Sequence, residues 1–171
     1  TTTEVRDKEG RLVGVQGIAR DITERRRMEE ALKRSFFGIA EALSLVIEQR
    51  DPYTSGHSRG VAQLSEEIAR CMGFLEEDVQ GMYIAGLLHD IGKVSVPVEI
   101  LVKPGELTEL ESALIKSHPQ RGYDILKGID FPWPIAQITL QHHERLDGSG
   151  YPQGLKRDEI ILEARILAVA D

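Results

Sequence analysis

Between Glu24 and Arg50 the chain carries no proline and a single glycine, while Met28, Leu32, Ser35, Ile39, Ala42 and Val46 recur at alternating intervals of four and three residues. That spacing is the period of a helical seam, which strands and loops do not reproduce. Phe36, Leu43 and Ile47 widen the stripe, as expected where a helix also rests on a globular body. One long helix is therefore expected over residues 24–50, serving either as the seam of a parallel homodimer or as the first core helix of a bundle. The Arg25-Arg26-Arg27 run reads as its solvated face.

The rest of the chain divides around this helix. Residues 1–23 hold two extended, β-branched stretches, Thr1 to Arg6 and Arg11 to Ile18, separated by the turn cluster Asp7-Lys8-Glu9-Gly10, which predicts a β-hairpin. A lone hairpin is marginal in water, so its strands are expected to belong to a larger sheet. Beyond Arg50 the pattern is helical almost throughout. Helices are expected from His57 to about Met72, from a cap at Asp78 through His89, from the capping box Thr108/Glu111 towards His118, from Pro132 to about Leu146, and from Ile160 to Asp171. Hydrophobic residues make up 41% and aromatic residues 5% of the chain, which suits a mainly α helical bundle.

Composition also narrows the partners. A net charge of -7 argues against a basic face that grips DNA. Cys71 stands alone, so a reducing, cytoplasmic setting without an intrachain disulfide is expected. No apolar run approaches the roughly 18 residues of a membrane span, and no membrane contact is expected from this segment.

The chemistry concentrates in two runs, His89-Asp90-Ile91-Gly92-Lys93 and His142-His143-Glu144-Arg145-Leu146-Asp147-Gly148-Ser149-Gly150-Tyr151-Pro152. Imidazole and carboxylate are ligands of catalytic divalent metals, and the near absence of thiolates argues against structural zinc or iron–sulfur sites. Continuing the helix of His89 would put Lys93 one turn on, on the same face, where its ammonium could meet a phosphate oxygen. Glycines at 148 and 150 allow backbone close to a ligand, and Pro152 stiffens the loop exit. Either run alone has an ordinary explanation, as a helix end or as exposed histidines.

Together the runs make the chain similar to the HD-GYP family of the HD phosphohydrolase superfamily. Asp51-Pro52-Tyr53-Thr54-Ser55-Gly56-His57, Val96-Pro97, Lys103-Pro104-Gly105 and His118-Pro119 agree with it. The hairpin, then Asp21-Ile22-Thr23, then a charged helix resembles the C-terminal end of a PAS sensor domain entering a signalling helix. The resemblance implies three parts: 1–23 from a PAS domain, 24–50 a signalling helix, and 51–171 an HD-GYP domain truncated at its C-terminus.

It further implies a metal-dependent phosphodiesterase that hydrolyses cyclic di-GMP to linear pGpG and/or GMP. Metal ligands would be His57, His89, Asp90, His118, His142, His143 and Asp171, with Asp90 bridging. Lys93 and Asp90 would be catalytic. Lys93, Arg145, Gly150, Tyr151 and Pro152 would contact substrate, and Glu144 and Asp147 would hold ligands or loop from behind. Members with a third metal carry glutamate where this chain has Tyr53, so two divalent ions are expected, unless Glu48 or Asp51 reaches in. Iron or manganese suits the mixed ligands best, with zinc or nickel compatible. A homodimer through residues 24–50 and linkage to a diguanylate cyclase or other signalling domain are the expected protein partners. The alternatives are a non-catalytic cyclic dinucleotide receptor or an HD hydrolase of another nucleotide.

Overall fold

The computed structural model describes residues 2–17, 20–51 and 56–171. Contacts divide the chain into two units, Thr1–Phe36 and Phe37–Asp171. In the first, β1 (Thr2–Arg6) and β2 (Leu12–Gly17) pair antiparallel, with the register shifting between Val5 and Arg6. The turn is the expected one. The Asp7 carboxylate accepts from the backbone N–H groups of Glu9 and Arg11 at 3.0 and 2.8 Å, and Gly10 takes φ 80°. A two-stranded ladder is all that the described residues form. Helix α1 (Thr23–Glu48) starts in the first unit and ends in the second.

The second unit is helical, as expected. It contains α2 (His57–Cys71), α3 (Glu76–Leu88), α4 (Val98–Leu101), α5 (Glu109–Ile115), α6 (His118–Leu126), α7 (Ile135–Gln141) and α8 (Leu162–Ala170). Single 3-10 turns cover Ile91–Ser95 and Arg157–Glu159. Helix α3 is the axis. Val79, Met82, Ile84, Ala85, Leu87 and Leu88 bury it on all sides, and it meets α2, α7 and α8. Each such buried side chain larger than alanine stabilises the fold by about 1.5–3 kcal/mol. Helix α2 approaches tightly at Gly86, where a Cβ would stand 2.4 Å from the Cα of Ala62.

Five boundaries differ from the sequence expectation. Helix α3 is capped by Leu75 and has Asp78 within its first turn beside Glu76 and Glu77, where three acids suit the N-terminal dipole. Helix α7 begins only after Pro134, because Pro132 and Pro134 cannot donate backbone hydrogen bonds, and it stops at Gln141. Helix α8 begins at Leu162, after a 3-10 turn. The helix of His89 ends at Leu88, so Lys93 sits in a separate 3-10 turn rather than on α3.

Helix α1 uses two faces. Ala40, Ser44, Ile47 and Glu48 are buried, and Glu41 accepts from Tyr83 at 2.9 Å and Arg59 at 3.3 Å. The seam residues Met28, Leu32, Ser35, Ile39, Ala42 and Val46 are all exposed. Among the described residues no helix is long and apolar enough to cross a membrane.

Candidate metal centre

Three histidines are seated by one device. The Nδ1–H of His89 donates to the Gly86 carbonyl at 2.7 Å, that of His118 to Ile115 at 2.8 Å, and that of His142 to Thr139 at 2.6 Å. Each acceptor lies three residues earlier, in the last turn of a helix, where carbonyls lack intrahelical partners. His89 and His142 are the C-terminal caps of α3 and α7, and Ile115 closes α5. With the ring proton spent on Nδ1, the neutral His118 and His142 present a bare Nε2 lone pair inward, the tautomer a metal ligand needs, and His89 does so once its second proton leaves.

Those lone pairs converge. His118 Nε2 and His142 Nε2 face each other at 3.2 Å, and His89 Nε2 is buried without a hydrogen-bond partner. Opposed lone pairs and an orphaned buried nitrogen are unfavourable unless a cation sits among them. The donor set therefore fits metal ions. It forms two groups, His118 with His142 and His143, and His57 with His89 and Asp171, each with its ligand atoms within 4.8 Å of one another. Asp90 stands between the groups. Its Oδ1 lies 3.3 Å from His118 Nε2 and its Oδ2 3.3 Å from His89 Nε2.

The electrostatics divide the same way. Burial holds the His142 and His143 imidazoles neutral, with neighbouring imidazoles adding to the effect, and His143 falls to about 4. Burial likewise lowers His118, against the pull of Asp90. Burial also opposes charge on His89, but Asp90 and Asp171 outweigh it and push that imidazole up to about 10. Asp90 stays ionised despite burial, because His89, Lys93 and His118 hold it well below the usual carboxylate range. Without metal, one group is thus neutral and ready, while the other stores a proton that a metal would displace.

Lys93 completes the centre by another route than the expected one. In a 3-10 turn residues three apart eclipse, and Lys93 Nζ lies 2.7 Å from Asp90 Oδ2 and 3.5 Å from Asp51 Oδ2. Tyr151 stacks on His143, with ring centroids 4.8 Å apart. Burial, reinforced by Asp171 and Asp90, pushes its phenol up to about 12, so it keeps its proton. Its loop depends on Gly150, where a Cβ would stand 2.3 Å from Arg145 N, and on buried Glu144, which accepts from the backbone N–H of Gln153 at 2.7 Å and Leu155 at 2.9 Å. Asp147 is exposed and closes a turn with Ser149. Pro152 is exposed. Arg145, also exposed, lines a groove of about 600 Å³ with Arg165 and Val169, and none of the histidines lines it.

Glu48 does not serve as an additional metal ligand. It is buried and directs both oxygens to backbone N–H groups of Gly56 and Ser58. Tyr53, on which the expectation of two ions rests, lies outside the described residues. Two residues went unread in the sequence. Lys116 places its ammonium 5.6 Å from the centroid of the Tyr151 ring, and Arg50 donates to the carbonyls of Val94 and Val96 at 2.6 and 3.3 Å. Neither left a signal, since both lie beyond helix ends and their partners are main-chain carbonyls and a ring distant in sequence.

Residues 41–171 match the family model described as HD domain. The chain is 46% identical over 131 residues to the protein of Xanthomonas campestris pv. campestris named cyclic di-GMP phosphodiesterase response regulator RpfG, covering 75% of this chain and 35% of that protein. It is 40% identical over 133 residues to the protein of Vibrio cholerae named 3'3'-cGAMP-specific phosphodiesterase 1, covering 78% and 31%. Among solved structures, an HDG"Y"P protein from Bdellovibrio bacteriovorus superposes with a TM-score of 0.57 at 28% identity, covering 67% of this chain and 38% of that one. The chain spans about a third of the length of the curated relatives it matches.

Proposed function

Because the chain belongs to the HD domain family, we propose that it is a metal-dependent phosphodiesterase that opens cyclic di-GMP to linear pGpG and/or GMP. The observation that carries this reading is Asp90, whose two oxygens face imidazoles of two different three-residue groups. Such a carboxylate is suited to bridging two ions, and iron or manganese matches the mixed nitrogen and oxygen donors. Bound metals would supply Lewis acidity and a water of lowered pKa.

The chain's own residues would then do the following. His57, His89 and Asp171 hold one ion, and His118, His142 and His143 the other, with Asp90 common to both. Lys93, raised against burial by Asp90, keeps its ammonium beside the reacting phosphate and offsets the negative charge that grows there. The protonated Tyr151 phenol donates to substrate, Gly150 and Pro152 shape the loop around it, and Arg145 contacts the part of the dinucleotide that reaches its groove. Glu144 and Asp147 hold the loop from behind.

The N-terminal hairpin and Asp21-Ile22-Thr23 are read as the end of a PAS sensor, which gives the cytoplasmic enzyme its input. The exposed seam of α1 supports a parallel homodimer through residues 24–50, because none of its six positions is buried within the single chain. The test of function is incubation of anaerobically metal-loaded protein with cyclic di-GMP and, separately, 3'3'-cGAMP. Linear product from cyclic di-GMP is expected. Cleavage of 3'3'-cGAMP alone would shift the substrate to that of the Vibrio cholerae relative, and binding without cleavage would make the chain a receptor.

A further inference from the structure

Each of His89, His118 and His142 is fixed by a bond from Nδ1 to a helix-end carbonyl three residues earlier. His57 is the first residue of α2, whose start has no side-chain cap from Gly56, which takes φ 76°. The cap comes from another element. Glu48, 8% exposed at the end of α1, accepts from Gly56 N with Oε2 and from Ser58 N with Oε1, each at 2.9 Å. Those two N–H groups bracket His57, and they belong to the unpaired donors of a helix start, where a carboxylate binds favourably. His57 depends on this grip more than its partners do, since its side chain is 33% exposed against 1% for His89.

The same end of α1 reaches the other side of the centre. Arg50 holds the carbonyls of Val94 and Val96, and the Asp51 carboxylate lies 3.5 Å from Lys93 Nζ. The His118, His142 and His143 group has its own anchors in Ile115 and Thr139.

We propose that Glu48 is the positioning residue of the His57/His89/Asp171 pocket, so that the end of α1 governs metal occupancy there and leaves the His118/His142/His143 group untouched. This rests on the two-pocket reading above. The test is calorimetric titration of the full chain with Mn2+ alone, for wild type, Glu48→Gln, His57→Ala and the double variant. Wild type is expected to bind in two steps. Glu48→Gln, which keeps one acceptor and turns an amide NH2 against the other N–H, should weaken one step by about 10–100-fold and leave the other unchanged. Combined with His57→Ala it should add no further loss. Equal weakening of both steps, no weakening, or additive losses would overturn the proposal. Wild type binding fewer than two ions would instead overturn the two-pocket reading itself. Should His57→Ala unfold, the isosteric Glu48→Gln alone still decides through the split between steps.

Discussion

Glu144→Gln offers a perturbation whose size follows from the structure. Glu144 is 3% exposed and its two oxygens accept from Gln153 N and Leu155 N at 2.7 and 2.9 Å. Hydrogen bonds to a charged group contribute about 1.5–3 kcal/mol each, and a neutral one about 1. Glutamine keeps one bond, now neutral, and faces the second N–H with its own NH2, leaving buried donors unsatisfied at a cost of about 1–3 kcal/mol. A net loss of at least about 3 kcal/mol is expected, which for a chain of 171 residues lowers Tm by about 6–12 °C or more. Thermal unfolding followed by circular dichroism measures it. The loop that loosens carries Tyr151, so KM for cyclic di-GMP should rise more than kcat falls, with metal stoichiometry unchanged. A Tm within about 2 °C of wild type would refute the reasoning, since the loop N–H groups would then have other acceptors.

Three further outcomes are expected. His89 lies at about 10 in the metal-free protein, so the stability it contributes there is full below its unfolded value near 6.5 and fades as pH rises through 10. Metal must displace this proton, and Mn2+ affinity should accordingly climb with pH across that window; calorimetry showing flat affinity would contradict it. Glu111, lowered to about 2 by Lys103 and Thr108, contributes stability above its unfolded value near 4.5 that is lost as pH falls through 2, and carboxyl NMR shifts should titrate there rather than near 4.5. Gly86→Ala forces a Cβ to 2.4 Å from the Ala62 Cα and should cost about 1–3 kcal/mol or more, with weaker metal binding, because the Gly86 carbonyl also orients His89.

The donor types stood out in the sequence far more than the way they are seated. His89, Asp90, His142 and His143 stand in two runs of imidazole and carboxylate, His118 entered through the family resemblance, and the Thr108/Glu111 box and Asp7 turn are local devices written in neighbouring residues. The seats of the histidines were not legible, since each uses a carbonyl, which every residue owns. Lys93 shows the limit of periodicity: the helix pattern continues through Asp90, yet the backbone tightens into a 3-10 turn that aligns Lys93 with Asp90 more directly. Glu144 was expected to hold ligands or loop from behind and Glu48 to reach a metal if anything, but the backbone N–H groups that each grips lie eight to eleven residues away and were not legible.

Whether Asp90 joins two metals into one centre can be read from electron paramagnetic resonance of protein loaded with two equivalents of Mn2+. Wild type should give the signal of an exchange-coupled pair, and Asp90→Asn, with one bridging oxygen replaced, should give the signal of isolated ions. Isolated ions in wild type at full loading would contradict a shared centre and the hydrolytic chemistry built on it.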